Sequence, residues 1–329
     1  MKILITGATG FIGRHLVQAL IQEGRDVRCL VRGTSTKGNF KNLDLELIYG
    51  DLLDKHSLKE AVKGINVIYH LGGEVYSPRV ENYYNVNIQG TKNLLDACLD
   101  VAIERFIFFS SISAMGPNQN HKKPLEEEDP YNPISPYGIS KYQCEQFISS
   151  FSQKFKLPVI IIRPPVVYGP GINNSSRVLS LLRMVRKGKI IIPGDGKQRI
   201  SLCYIKNLID GILLTEKKAH LILNKYILTD QRAYNYNEII DTIAKEMKIK
   251  LSKFYVPQVV IQKSICFIQL FRRLLGLPPS VNLARLEEGT HSWECDISKA
   301  KKELGYHPKI EIEEGLKTTI QWCQENHLC

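Results

Sequence analysis

Cysteine is scarce in this chain of 329 residues: there are eight, and no two have the Cys-x-x-Cys spacing of a zinc or redox site. That scarcity excludes a disulfide scaffold and predicts buried, reduced thiols. A signal-peptide apolar region is also lacking, because a glycine follows the first short apolar run, so we expect a cytoplasmic protein. A content of 43 % hydrophobic and 23 % charged residues excludes disordered, collagen-like and multi-span membrane proteins.

Acidic residues are too few to balance the basic ones. Lys and Arg number 44 against 33 Asp and Glu, which leaves a formal net charge of +11. Such an excess indicates an anionic substrate or cofactor, nucleic acid, or an anionic membrane surface. Composition alone does not choose among them.

Short apolar runs alternate with amphipathic stretches through the first half of the chain, which predicts successive βα units. The runs at 106–109 and 159–162 carry no polar alternation, so both of their faces should be covered, as in a parallel sheet. We therefore predict a doubly wound parallel α/β sheet over residues 1–170 and a smaller, mainly substrate-binding lobe over 171–329. One strand at 226–229 is expected to return to the main sheet.

The elements expected in the first domain follow from these runs and from helical spacing. The strands are 2–6, 26–32, 45–50, 66–70, 105–110 and 158–162, and the helices are 11–22, 57–62, 86–99 and 137–155.

Three glycines follow the first expected strand and open the first helix. A tight turn there needs a positive φ, a pyrophosphate needs backbone without Cβ atoms in its way, and the helix must pack closely on the strand. The free N–H groups and partial positive charge of the helix N-terminus then favour phosphate. The segment therefore predicts a dinucleotide site, and its candidate cofactor residues are Gly7, Thr9, Gly10, Phe11, Ile12 and Gly13.

The second expected strand ends in Arg32, where an acidic residue would accept hydrogen bonds from the ribose hydroxyls of NAD. A guanidinium binds a 2′-phosphate through two hydrogen bonds, whereas a carboxylate repels it. Arg32, followed by Thr34, Ser35 and Lys37, therefore predicts a preference for NADP over NAD. The alternative is that Arg32 is a solvated strand end.

Tyr137 and Lys141 are four residues apart, so they share one face of a helix. A tyrosine with its ordinary pKa of about 10 is a poor base at neutral pH, and a nearby ammonium lowers that pKa. Such a pair moves a proton on a hydroxyl or carbonyl oxygen while hydride moves to or from a nicotinamide. The spacing alone is weak evidence. Ser110 and Ser111 add to it, because they follow the fifth expected strand, at the edge where open α/β sheets bind ligands.

In their order along the chain, these motifs resemble the extended short-chain dehydrogenases/reductases, the family of NAD-dependent epimerases, dehydratases and related reductases. The resemblance implies a Rossmann fold and an NAD(P)-dependent enzyme. It implies that Tyr137 is the acid/base, that Lys141 holds the nicotinamide ribose and that Ser111 positions the substrate oxygen. It also implies a homodimer formed through the helices at 86–99 and 137–155. Further cofactor contacts implied by matching segments are Asp51, Leu52, Leu71, Gly72, Gly73, Pro164 and Val167.

Two segments bear on the reaction and the substrate. Dehydratases of the family place Asp-Glu just after the serine, but here Ile112 and Ser113 follow Ser111, which disfavours dehydration. By the same resemblance, Ser113 faces the substrate. The segment 192–199 resembles the one with which sugar-nucleotide epimerases approach the substrate diphosphate, and Arg199 would be its clamp. A β-turn with basic flanks is an equal alternative.

Residues 254–279 form the most apolar stretch of the chain. Lys263, Arg272 and Arg273 interrupt it, so it is not a spanning helix. A weak contact with a membrane surface, a cover for an apolar substrate pocket, and a buried lobe helix or dimer surface all stay open.

These observations favour an oxidoreductase or epimerase that acts on a secondary alcohol or ketone of a nucleotide sugar, as a 4-epimerase or 4-ketoreductase does. One alternative resembles hydroxysteroid dehydrogenases and dihydroflavonol reductases and acts on an apolar alcohol or ketone. Another is a non-catalytic NADP-sensing protein. We expect no metal site, and small anions account for the basic charge without nucleic acid.

Overall fold

A computed structural model describes residues 1–34, 40, 43–119, 123–216, 222–275, 277 and 280–329. The strands are β1 (Lys2–Thr6), β2 (Asp26–Val31), β3 (Glu46–Tyr49), β4 (Val67–His70), β5 (Arg105–Phe109), β6 (Val159–Arg163), β7 (Val166–Tyr168), β8 (Lys189–Pro193), β9 (Arg199–Ile200), β10 (Leu202–Tyr204), β11 (Leu223–Ile227), β12 (Tyr234–Asn235) and β13 (Ser252–Val256). The helices are α1 (Phe11–Gln22), α2 (Lys55–Val62), α3 (Val80–Asn82), α4 (Gly90–Ala97), α5 (Pro136–Phe155), α6 (Arg177–Arg186), α7 (Ile205–Glu216), α8 (Tyr236–Glu246), α9 (Gln258–Leu274), α10 (Val281–Glu288), α11 (Ser298–Leu304) and α12 (Ile312–Glu325). A π-helical segment, Tyr83–Gln89, joins α3 to α4.

Seven strands form one parallel sheet in the order β11-β6-β5-β4-β1-β2-β3. The chain runs outward from β1 to β3 and then returns across β1 to continue at β4. That reversal opens a crevice at the carboxyl ends of β1 and β4, where ligands of such sheets bind. The order confirms the predicted doubly wound α/β fold.

Strand β5 shows why the central strands carry continuous apolar runs. Phe106 and Phe108 lie in one hydrophobic core, while Ile107 and Phe109 lie in the core on the opposite face of the sheet. All four side chains are buried. Each large apolar side chain buried in this way contributes roughly 1.5–3 kcal/mol of transfer free energy.

The second half of the chain is divided between the sheet and a smaller lobe. Strand β11 pairs in parallel with β6, where the sequence placed a returning strand at 226–229. The lobe contains three two-stranded sheets, β7 with β10, β9 with β12 and β8 with β13. Helix α9 follows β13 and packs against α10. Among the residues described here, none of the helices is long and apolar enough to cross a membrane.

His70 links the ends of two central strands to a helix. Its Nδ1 lies 2.7 Å from Oγ1 of Thr6 in β1, and its Nε2 lies 2.9 Å from Oγ1 of Thr91 in α4. Burial, together with the charge of Lys141, lowers the pKa of His70 to about 3. The ring is therefore neutral and part of a hydrogen-bonded core.

The neutral His70 should make stability depend on pH. Between the ordinary pKa of about 6.5 and about 3, the unfolded chain binds a proton that the folded chain does not. The contribution of neutral His70 to the free energy of unfolding is complete above about pH 6.5. It is lost as the pH falls, at about 1.4 kcal/mol per pH unit. We expect His70→Asn to show a shallower fall in the free energy of unfolding in urea titrations between about pH 7 and 4.5.

The comparison must be between variant and wild type, because other buried groups titrate in the same range. Burial raises the pKa of Asp230 to about 6, which acts in the opposite sense as the pH falls. If His70→Asn keeps the wild-type slope, His70 is protonated in the folded protein and the assignment fails.

Candidate active site

The turn between β1 and α1 leaves no room for side chains. Gly7 has a φ of +71°, and a Cβ there would lie 2.7 Å from the backbone N of Gly72. A Cβ at Gly13 would collide with the carbonyl oxygen of Gly7. Helix α1 begins at a glycine N-cap, Gly10, which has no side chain to satisfy the first N–H groups. This cradle fits the pyrophosphate of a dinucleotide.

The first turn of α1 is also fixed to the chain that follows β7. Arg14 donates to the carbonyl oxygen of Gly171 at 2.7 Å, and Nε2 of His15 lies 2.9 Å from that of Pro170. The predicted cofactor residues Thr9, Phe11 and Ile12 lie in this turn. Two further predicted cofactor residues lie near that chain. Val167 is in β7, and Pro164 lies two residues before β7 begins.

The segment after β4 forms the opposite wall of the crevice. A Cβ at Gly72 would lie 3.0 Å from Cδ1 of Leu52, and one at Gly73 would lie 3.7 Å from Nζ of Lys141. Leu71 donates its backbone N–H to the carbonyl oxygen of Thr6 in β1. The structure thus brings the residues predicted after β1, β3 and β4 together at one edge of the sheet.

Arg32 and Asp51 lie at adjoining strand ends. Val31 at the end of β2 pairs with Tyr49 at the end of β3. Arg32 comes one residue after Val31, and Asp51 comes two residues after Tyr49. Arg32 is exposed and forms no ion pair with a described residue, and Oδ1 of Asp51 accepts a hydrogen bond from the N–H of Leu53 at 2.9 Å. Strand β2 ends at Val31, one residue before its expected end. Thr34 is described, whereas Ser35 and Lys37 lie outside the described residues.

A serine turn ends β5. Ser111 is the N-cap of the short helical segment Ile112–Ala114, and its Oγ accepts a hydrogen bond from the N–H of Ser113 at 3.1 Å. The backbone N–H of Ile112 donates to the carbonyl oxygen of Pro164 at 3.1 Å. The hydroxyl of Ser111 also lies close enough to the phenol of Tyr137 to lower its pKa. Ser111, Tyr137 and the Pro164 segment therefore meet at the carboxyl edge of the sheet.

Helix α5 begins just before the tyrosine. Ser135 is its N-cap and accepts a hydrogen bond from the N–H of Gly138 at 3.1 Å, and Pro136 occupies the first turn. Both residue types favour a helix start. The start places Tyr137 in the first turn and Lys141 one turn later on the same face. The Tyr137 ring centroid lies 6.1 Å from that of Tyr83.

Burial has the largest effect on the pKa values of Tyr137 and Lys141. It raises the pKa of Tyr137 above the ordinary value, and the nearby hydroxyl of Ser111 opposes this. The ammonium of Lys141 donates to the carbonyl oxygen of Phe109 at 2.7 Å and lies 4.8 Å from the ring centroid of Phe108. Burial lowers the pKa of Lys141. The expected lowering of the tyrosine pKa is therefore not what this geometry shows, because the buried phenol is protonated at neutral pH.

Sequence reasoning missed the carboxylate that anchors this helix. Glu145 and Arg163 are both fully buried and form an ion pair with Nη2 to Oε2 at 2.6 Å and Nε to Oε1 at 3.0 Å. Ser110 donates to Oε1 of Glu145 at 2.5 Å, and Tyr131 donates to Oε2 at 2.8 Å. The signal was present, because Glu145 is four residues after Lys141, on the same helix face.

A second missed group comes from the lobe. Glu288 in α10 is 3 % exposed, accepts a hydrogen bond from Oγ of Ser135 at 2.5 Å and pairs with Arg177. Arg285, one turn earlier, stacks on the ring of Tyr76 at 4.7 Å. Helix α10 thus contacts the N-cap of the helix that carries Tyr137. No motif in the sequence marked these residues.

Arg199 lies in β9 and is paired with a carboxylate. Its Nη2 is 3.0 Å from Oε1 of Glu294, and its side chain is 40 % exposed. Ser113 is partly exposed beside Ser111. Their roles toward a substrate stay predictions.

Comparison with known proteins agrees with this geometry. The model of the NAD dependent epimerase/dehydratase family matches residues 3–225. The chain is 30 % identical to a UDP-glucose 4-epimerase of Vibrio cholerae, covering 97 % of this chain and 94 % of the relative. It is 26 % identical to the N-acetyl-alpha-D-glucosaminyl-diphospho-ditrans,octacis-undecaprenol 4-epimerase of Escherichia coli O157:H7, covering 98 % and 95 %.

A solved structure of UDP-glucuronic acid 4-epimerase from Bacillus cereus in complex with NAD superimposes with a TM-score of 0.80 at 25 % identity. It covers 99 % of this chain and 100 % of that one. The family model covers residues 3–225, and the relatives and the solved structure agree with this chain over almost its whole length. The chain therefore belongs to the NAD-dependent epimerase/dehydratase family and is an enzyme of the extended short-chain dehydrogenase/reductase type.

Proposed function

We propose that the protein is a 4-epimerase or 4-ketoreductase of a sugar carried on a diphosphate, with a nucleotide sugar as the first candidate. The observation that carries the proposal is that Ser111, Tyr137 and Lys141 converge at the carboxyl edge of the sheet, beside the glycine cradle. The relatives named as 4-epimerases of UDP-sugars support this substrate class.

Three side chains divide the work at the substrate oxygen. Bound NAD(P) supplies hydride transfer at its nicotinamide. The protonated phenol of Tyr137 gives its proton to a carbonyl oxygen, and its phenolate takes one from a hydroxyl in the reverse direction. Ser111 donates a hydrogen bond that orients the same oxygen. Lys141, whose Nζ is near Gly73, is proposed to hold the nicotinamide ribose.

Epimerisation or ketone reduction is favoured over dehydration. Ile112 and Ser113 occupy the positions after Ser111, so no carboxylic acid stands there to protonate a leaving hydroxyl. The only proton donors on this turn are serine hydroxyls, whose acidity is too low for that step.

A second candidate substrate is a sugar linked through diphosphate to a lipid. The Escherichia coli relative carries such a substrate in its name. The observation that favours it here is the exposure of the apolar side chains of α9, which belongs to the lobe that contacts the site. A steroid-like or flavonoid-like ketone under 254–279 has less support, because Ile265 is the only buried side chain of α9.

We further propose a homodimer through α4 and α5 and a cytoplasmic location. A groove between these two helices is lined by Ile88, Lys92 and Phe147, with Nζ of Lys92 5.1 Å from the Phe147 ring centroid. An aromatic and an aliphatic side chain at a groove suit a helix-to-helix interface.

Tyr137→Phe tests the catalytic assignment. The variant lacks the phenolic proton but keeps the ring, so kcat toward UDP-sugars should fall by about 10²–10⁴-fold while the melting temperature is kept. Tyr142→Phe, on the same helix, is the matched control and should keep the wild-type kcat. The measurement is stopped-assay turnover of a panel of UDP-hexoses with separation of the epimers.

Two results would contradict this assignment. One is wild-type turnover in Tyr137→Phe, which would remove the tyrosine from the chemistry. The other is a wild-type protein that binds NAD(P) yet converts no sugar diphosphate, which would favour the non-catalytic alternative.

Arg32 is proposed to give a preference for NADP over NAD, while the solved relatives are named with NAD. Its guanidinium is exposed at the end of β2 and has no carboxylate partner among the described residues. Arg32→Asp should therefore raise the Kd for NADP by at least about tenfold relative to that for NAD, because a carboxylate repels the 2′-phosphate.

Lys317→Asp on α12 is the control, because it changes the net charge equally at a distant exposed site. Both dissociation constants are measured by isothermal titration. An unchanged ratio of the two constants in Arg32→Asp would show that Arg32 is only a solvated strand end.

A further inference from the structure

Helix α9 presents its apolar side chains to solvent. Phe267 is 69 % exposed and Leu274 is 75 % exposed, and Val260, Leu270 and Phe271 are each more than half exposed. A helix on the surface of a globular protein normally turns such residues toward the core. A continuous exposed apolar patch of this kind marks an interaction surface.

The spacing of these residues makes one stripe along the helix. Relative to Val260, the others stand at i+7, i+10, i+11 and i+14, which fall on one side of an α-helix. The helix spans 17 residues, and the part from Val260 to Leu274 makes the stripe about 21 Å long. Ile265 points the other way and is buried against the lobe. We call the five residues of the stripe, Val260, Phe267, Leu270, Phe271 and Leu274, the apolar stripe.

The segment that contains this helix carries charge of one sign in the sequence, although Lys253 is paired with Asp241 in the structure. Between Glu246 and Glu287 the sequence has no Asp or Glu, yet it holds seven of the chain's 44 basic residues. Those seven are Lys248, Lys250, Lys253, Lys263, Arg272, Arg273 and Arg285. An amphipathic helix with an apolar face and a basic surround suits an anionic lipid surface.

The same charge argues against self-association through this face. A second copy would bring an equally basic segment against the first, and like charges in an interface cost affinity. An anionic bilayer instead gains from each lysine and arginine near its surface.

The apolar stripe lies on the part of the lobe that contacts the catalytic helix. Helix α9 packs on α10, and Nε2 of Gln258 donates to the carbonyl oxygen of Thr290, just after α10. Helix α10 in turn holds Glu288 on Ser135, the N-cap of α5. A surface that binds α9 is therefore connected through α10 to the start of the helix that carries Tyr137.

We propose that α9 lies in the plane of an anionic phospholipid bilayer and docks the enzyme there through the apolar stripe. The inference rests on the proposed function only for its consequence, that the sugar diphosphate is taken from the membrane surface. The docking itself needs no substrate.

The test is co-sedimentation of the full chain with vesicles. Phosphatidylcholine vesicles containing about 30 % phosphatidylserine should bind the wild type at least about tenfold more tightly than pure phosphatidylcholine vesicles. Because the attraction is partly electrostatic, about 0.5 M salt should weaken the binding.

Two sets of variants separate the apolar and the charged contributions. Phe267→Gln with Leu274→Gln should reduce binding by at least about tenfold, as should Lys263→Glu with Arg273→Glu. Leu99→Gln with Met184→Gln changes exposed apolar residues elsewhere and should leave binding unchanged. Thermal unfolding verifies that each variant is folded, which the exposure of the substituted side chains favours.

Vesicle binding by none of the folded proteins would overturn the proposal. So would a wild-type dimer that Phe267→Gln with Leu274→Gln converts to a monomer in light scattering, since a second copy would then cover the apolar stripe. Turnover of soluble UDP-sugars is measured separately without vesicles. If the wild type does not convert soluble UDP-sugars, the proposed function is contradicted. The vesicle-binding result is not affected by that outcome.

Discussion

A buried ion pair between Glu145 and Arg163 holds helix α5 to the sheet. Both side chains are fully buried, and the carboxylate also accepts hydrogen bonds from Ser110 and Tyr131. Arg163 ends β6, Ser110 follows β5, and Glu145 lies on α5. One carboxylate therefore fixes the position of the helix relative to two central strands. Since desolvating two charges is costly, such a pair is stable only when nearly all of its hydrogen bonds are made, as they are here.

The consequences reach the site because of helical spacing. Glu145, Lys141 and Tyr137 are four residues apart in succession, so the anchored face is also the catalytic face. Ser110 is bound to the anchor, and the next residue, Ser111, meets the phenol of Tyr137. At the N-terminal end of α5, beside Tyr137, Glu288 from the lobe holds Ser135. The sheet and the lobe thus both fix the helix that carries Tyr137.

The sequence predicted the parts of this arrangement that local patterns control. Continuous apolar runs identified the central strands, and the glycine spacing identified the turn after β1, because positive φ and close packing leave few other residues acceptable there. The helix predicted at 137–155 agrees with α5 to within one residue at its start, which Ser135 and Pro136 favour. These features depend on neighbours within a few residues, and single sequences carry that information.

The missed residues depend on contacts between distant segments. Glu288 lies 153 residues after Ser135, its hydrogen-bond partner, and nothing local marks either as a contact. The pKa of Tyr137 depends on how deeply the phenol is buried, which spacing to Lys141 does not reveal. The outward face of α9 was equally hidden, because a buried and an exposed amphipathic helix have the same periodicity.

The central claim is that the buried pair of Glu145 and Arg163 fixes the helix that carries Tyr137. A double-mutant cycle with Glu145→Ala and Arg163→Met tests it most directly, with the exposed pair of Glu60 and Lys63 as the matched control. Each single variant should lose about 3–5 kcal/mol of the free energy of unfolding, because one buried charge is left unpaired. The double variant should lose less than the two single losses combined, with a coupling of about 1–3 kcal/mol. Strictly additive losses, no larger in coupling than those of the exposed control pair, would contradict the account.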